Sequence, residues 1–190
     1  AGYDHLIIQG KAEKPVYLWI TDDQVSIRDA AHLWGQDTYQ TVGTLKEELG
    51  EEVAVAAIGP AGENQVLFAN IMFDRYRAAA KTGAGCVMGS KNLKAIAVQG
   101  TNSVTMARPQ EVRPLAEELR RRLDINQSRG IASFAKYGTT FLTTLYNELG
   151  CNSVNNYQDT VFQGVEDIHP DKFVDEFVQH NISCSVNCPV

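Results

Sequence analysis

The pattern of apolar and polar positions changes character near residue 105. Before it, short apolar runs alternate with turn residues; after it, apolar residues recur at spacings of three and four. Residues 5–8 (His-Leu-Ile-Ile), 16–20 (Val-Tyr-Leu-Trp-Ile) and 24–28 (Gln-Val-Ser-Ile-Arg) read as three short strands. Their short connections predict antiparallel pairing. A helical turn follows over residues 30–34. Asp37-Thr-Tyr-Gln40 has the form of a capping box and opens a helix predicted to run to Leu49, with Val42, Leu45 and Leu49 on one face and Gly50 as its stop. Residues 53–58 read as a buried strand that runs into the turn Gly59-Pro-Ala-Gly-Glu-Asn64, where Glu63 and Asn64 are expected to cap backbone groups. A strand over 65–73 and another over 95–98 are predicted on either side of a glycine-rich loop.

In the second half, Pro109 suits the first position of a helix, and Val112, Leu115, Leu119 and Leu123 form one apolar stripe along it. Arg120, Arg121 and Arg122 complement the dipole at its C-terminus. Further helical pieces are predicted over 131–136 and 141–149, then a polar loop over 152–164. Pro170 starts a last helix in which Phe173, Val174, Phe177 and Val178 are expected to be buried. The predicted fold class is α+β. A β-sheet-rich N-terminal part, residues 1–105, is followed by the start of a mostly helical domain, residues 106–190.

Composition narrows the function classes. A net charge of −6 and a pI near 5.2 argue against nucleic acid as the main partner. No apolar run approaches the roughly 18 residues that a membrane-spanning helix needs. The chain opens on Ala1 without an initiator Met and stops at Cys188-Pro-Val190, so it is expected to be a piece of a longer polypeptide. Four cysteines, at 86, 151, 184 and 188, are too few and too unevenly spaced for a secreted disulfide framework. Cys86 and Cys151 are expected in the core.

Against the acidic whole, one segment stands out. No acid lies between Asp74 and Glu111, while Arg75, Arg77, Lys81, Lys91 and Lys94 surround glycines at 83, 85 and 89. Glycine lets backbone approach a ligand closely, and bare amides with cationic side chains suit a bound phosphate. A dinucleotide fold would need a full helix after the glycines and a carboxylate at the end of the next strand. Fewer than ten residues are free here, and that strand ends in Gln99-Gly-Thr101. In a Walker loop the lysine precedes the serine, whereas Gly89-Ser-Lys91 reverses them. A second constellation, Cys184-Ser-Val-Asn-Cys188-Pro189, pairs a cysteine with a following proline, as is common among iron–sulfur ligands. Two ordinary thiols near a helix end are the plain alternative, and a structural zinc a weaker one, His180 being the nearest further ligand.

Three stretches in order, Asp29-Ala-Ala-His-Leu-Trp-Gly35, Gly59-Pro-Ala-Gly-Glu-Asn64 and Met88-Gly-Ser-Lys-Asn-Leu-Lys-Ala-Ile96, resemble the tungsten-containing aldehyde:ferredoxin oxidoreductases. The likeness continues more loosely through Lys136-Tyr-Gly-Thr-Thr140 and Asn155-Asn-Tyr157. It implies a cytoplasmic enzyme that oxidises an aldehyde to a carboxylic acid at a tungsten bis-pterin (tungstopterin). Electrons would leave through a [4Fe-4S] cluster to ferredoxin or another carrier, in a homo- or hetero-oligomer. Lys81, Thr82, Gly83 and Gly85 would meet one pterin, and a main-chain carbonyl near Thr82 would contribute to a magnesium bridge between the pterin phosphates. Most members have Arg-Gly-Gly-x-Gly where this chain has Lys81-Thr-Gly-Ala-Gly85, so a bidentate guanidinium becomes a point-charge ammonium. Cys184 and Cys188 would be cluster ligands, although the family's first spacing is Cys-x2-Cys and here three residues intervene. The acid–base residues are expected beyond residue 190. A benzoyl-coenzyme A reductase-type subunit and a non-enzymatic phosphate-binding module are the alternatives.

Overall fold

The computed structural model describes residues 1–123 and 129–179, and the chain divides into two compact units, Ala1–Thr105 and Met106–Val190. The first is built on a six-stranded mixed sheet. Its strands are β1 (Val16–Thr21), β2 (Gln24–Asp29), β3 (Ala54–Ala57), β4 (Ile71–Phe73), β5 (Arg77–Ala79) and β6 (Leu93–Gln99), in the spatial order β2-β1-β6-β3-β4-β5. The expected antiparallel hairpin is present between β1 and β2, from Val16↔Asp29 to Thr21↔Gln24. Its two-residue turn puts Asp22 at φ 47°, a conformation aspartate tolerates. The Asp22 carboxylate accepts bonds from Thr101 N and Oγ1, both at 2.8 Å, which hold it below the usual carboxylate range and anchor the end of β6.

Residues 5–8 do not form the predicted third strand. The other neighbour of β1 is β6, about eighty residues on in sequence and parallel to it, Tyr17↔Ala95 through Thr21↔Gln99. Local spacing carries no information about that pairing. Of the strand predicted over 65–73, only Ile71–Phe73 is extended, and the turn at 59–64 contains a one-turn helix, α2 (Pro60–Glu63).

One sheet face is covered by α1 (Thr38–Leu49). Asp37 Oδ1 accepts from Gln40 N at 2.8 Å while Gln40 Oε1 accepts from Asp37 N at 3.1 Å, so the capping box forms as predicted. Val42 and Leu45 are fully buried and Leu49 packs beside them, against Leu33, Tyr17, Val55 and Ala97. On the other face, Leu18, Ile58, Met88 and Leu93 make a smaller core, which is where the glycine-rich segment docks.

The second unit contains α4 (Pro109–Arg122), α5 (Arg129–Tyr137), α6 (Leu142–Glu148) and α7 (Pro170–Phe177). The α4 stripe has the predicted spacing, but Val112, Leu115, Leu119 and Leu123 are all exposed among the described residues. Arg121 and Arg122 both pair with Glu118 one turn back. Phe173 and Phe177, expected to be buried, are also exposed, and so is Cys151. Polar bonds tie α5 to α7. Tyr137 Oη donates to Asp171 Oδ1 at 2.6 Å and Lys136 Nζ reaches the same oxygen at 3.0 Å. The tyrosine bond first and the lysine second hold the Asp171 carboxyl below its ordinary value.

Candidate functional site

The glycine-rich segment is a loop and a helix. After β5, residues 80–83 turn sharply and lead into α3 (Ala84–Ser90), a helix that alternating glycines had concealed. Thr82 and Gly83 are both left-handed, at φ 75° and 72°. For a β-branched threonine this conformation is an outlier that costs on the order of 1–3 kcal/mol. The amides of Thr82 and Gly83 donate to no protein acceptor among the described residues, although Gly83 is buried.

All three glycines answer to the chain's own backbone, and a Cβ on Gly83 would stand 2.1 Å from Leu67 O. Gly85 N donates to Ala69 O at 3.0 Å, and a Cβ on Gly85 would stand 2.2 Å from Asn70 O. On Gly89 it would stand 1.8 Å from Gly62 O, inside α2. α2 and α3 therefore cross with backbone against backbone, and the close approach expected toward a ligand is at 85 and 89 a close approach between two segments of the protein. Beside them, Cys86 is half-buried rather than in the core, its thiol donating to Gln65 O at 3.3 Å.

The positive charges separate into two kinds. Arg75, Arg77 and Lys81 lie at the surface near the loop. Lys91 donates to Gly10 O at 3.0 Å, and Lys94, expected among the loop's cations, points into the protein with its side chain 0% exposed. It is paired with Glu63, whose side chain is 5% exposed, and donates to Gln36 O at 2.8 Å. Glu63 in turn accepts Gly35 N on both oxygens, at 3.0 and 2.9 Å. Burial pulls the Lys94 amine below its ordinary value, and the bond to Glu63 opposes the fall. Glu63 thus caps a backbone amide as expected, but one twenty-eight residues away, and Asn64 Nδ2 caps Pro60 O at 2.8 Å. Each of the three stretches that carry the family resemblance contributes one member of this network: Gly35, Glu63 and Lys94.

The dinucleotide reading stays excluded. β6 lies between β1 and β3, while β5, the strand before the glycines, is at the sheet's edge, so no parallel β-α-β crossover encloses the loop. Cys184 and Cys188 lie outside the described residues. Among the described residues no group of three or more His, Cys, Asp and Glu is placed to hold a metal ion, and no helix is long and apolar enough to cross a membrane.

Comparison with known proteins accounts for both units. The family model for the aldehyde ferredoxin oxidoreductase N-terminal domain matches residues 1–100, and that for domains 2 and 3 matches residues 115–190. The tungsten-containing aldehyde ferredoxin oxidoreductases of Pyrococcus furiosus and Thermococcus kodakarensis are 42% and 41% identical over the whole chain, which spans 31% of each relative's length. An aliphatic sulfonate oxidoreductase WOR-like subunit of P. furiosus is 46% identical over 53% of the chain and 18% of its own length. Among solved structures, a chain of the active site complex BamBC of benzoyl coenzyme A reductase with 1,5-dienoyl-CoA superposes on 95% of this chain and 30% of its own. The TM-score is 0.72 and the identity 32%.

Proposed function

The chain belongs to the aldehyde ferredoxin oxidoreductase family, and on that premise we propose that it is the cofactor-loop portion of a tungsten-pterin enzyme that oxidises aldehydes to carboxylic acids. The observation that carries the reading is the loop itself, in a chain that matches the aldehyde enzymes from end to end. Residues 81–83 combine a surface ammonium, two unpartnered amides and a backbone held in a strained turn, a donor set that fits a pterin phosphate. Lys81 would supply the charge and Thr82 and Gly83 the amides, and a main-chain carbonyl near Thr82 would contribute to a magnesium bridge. Gly85 would serve indirectly, by letting α3 seat against residues 69–70. When bound, the tungstopterin supplies oxygen transfer and two-electron chemistry, and a four-iron cluster the one-electron steps toward ferredoxin. The protein's part would be to hold the cofactor and keep its surroundings fixed, with Cys184 and Cys188 as ligands of the cluster that takes the electrons onward.

The likeness to the benzoyl coenzyme A reductase complex favours a second reading, a sister reaction on the same scaffold within a multi-subunit assembly. The aldehyde enzymes are preferred because they match the whole chain at higher identity. The discriminating experiment is anaerobic assay of the full-length protein with a panel of aldehydes and with benzoyl-CoA, following ferredoxin or viologen. Aldehyde-dependent reduction of the carrier is the expected result. Turnover of the thioester alone would move the assignment to the sister reaction.

A separate prediction concerns the cluster. Cys188→Ala in the full-length protein is expected to abolish the reduced-cluster electron paramagnetic resonance signal. Cys184→Ala should do the same or leave a three-iron species. An intact four-iron signal in Cys188→Ala would remove that residue from the site.

A further inference from the structure

The Glu63–Lys94 pair is buried, its side chains 5% and 0% exposed, yet it joins three of the segments behind the loop. Lys94 is on β6, Glu63 ends α2, and Gly35 and Gln36 belong to the turn before α1. A buried ion pair is seldom the most stable filling of its space, since two apolar side chains of similar volume are often as good or better. Its distinguishing property is direction. Both carboxylate oxygens are committed to Gly35 N, and the ammonium is committed to Glu63 and to Gln36 O, so α2 has one allowed place relative to the sheet. α2 in turn dictates where α3 lies, because Gly62 and Gly89 meet backbone to backbone and leave no slack for sliding.

We propose that Glu63 and Lys94 are positioning residues for the cofactor loop: by locking α2 between β6 and the 35–36 turn, they set the place of residues 81–83 before any cofactor arrives. The inference rests on the reading of that loop as the pterin-binding one. A simple charge requirement would be met by exchanging the two residues. The geometry predicts otherwise, because a lysine at 63 has no lone pair for Gly35 N–H and a glutamate at 94 has no proton for Gln36 O.

The test uses the full-length protein, with wild type, the exchange Glu63→Lys/Lys94→Glu and the apolar double variant Glu63→Leu/Lys94→Met. Three quantities are read: tungsten per chain, thermal unfolding of the cofactor-free form, and amide hydrogen exchange. The apolar double variant is expected to melt within about 5 °C of wild type, since no charge is left unpaired. It should carry roughly tenfold less tungsten, the scale on which loss of an orienting partner lowers metal affinity. Exchange should quicken at residues 62–64, 85 and 87–90, whose amides are hydrogen-bonded, while the Val55 and Ala97 amides keep their protection. The exchanged pair is expected to lose tungsten as well. Full tungsten and unchanged exchange in the apolar variant would overturn the inference and leave the loop's function standing. Collapse of the apolar variant would also overturn it, making the pair a fold requirement. A wild type without tungsten would overturn the proposed function and this inference together.

Discussion

Alanine at position 89 is expected to destabilise the first unit by more than about 3 kcal/mol, because its methyl would stand 1.8 Å from the Gly62 carbonyl oxygen and only backbone movement relieves the clash. The matching control is Gly43→Ala in α1, where an added Cβ meets nothing within 4 Å. That change should stabilise the protein by about 0.5–1 kcal/mol, the ordinary gain from removing a glycine inside a helix. Denaturant unfolding of both variants checks the pair, and equal stabilities would refute the backbone-to-backbone crossing of α2 and α3. The same geometry governs the loop's other glycines. A valine at 83 would meet Leu67 O and one at 85 would meet Asn70 O, so loss of cofactor in either variant would report on packing as much as on ligand contact.

The loop's charge is therefore better tested at Lys81, which is exposed and has no ion-pair partner among the described residues. Lys81→Glu is expected to leave folding unchanged and to lower tungsten content about tenfold or more, since under the proposed function a carboxylate would replace the ammonium that meets a phosphate. Lys81→Arg should hold the cofactor as well as wild type or better, the guanidinium being able to bind a phosphate through two parallel bonds. Elemental analysis of the three purified proteins, with their melting curves, decides it. Undiminished tungsten in Lys81→Glu would make this a surface lysine.

What the sequence made legible follows from which forces are local. The capping box at Asp37 and Gln40, the α1 stripe, the β1–β2 hairpin and the Pro109 helix start are all set by residues within a few positions of one another, and all are present. The short helix α3 was hidden because Gly85 and Gly89 are poor helix formers. Their presence answers to the tight crossing with α2, a tertiary cause that overrides propensity. The parallel β1–β6 pairing and the Glu63–Lys94 pair join positions far apart in sequence. Lys94 read as one more cation beside a glycine loop, and only the fold shows it facing inward. In the helical half the stripes were legible as patterns, but a pattern does not say what covers it, and Leu115, Leu119, Phe173 and Phe177 are exposed here. The resemblance of the three motifs to one family was the most informative signal, and the network through Gly35, Glu63 and Lys94 gives a physical reason why those motifs occur together.

Elemental analysis of the full-length protein purified without oxygen tests most directly whether this chain carries the cofactor loop of a tungsten-pterin oxidoreductase. The expected result is tungsten and iron in a ratio of about one to four, with a pterin released on denaturation. Protein that folds and purifies intact from tungsten-supplied cells yet contains neither tungsten nor pterin would contradict it.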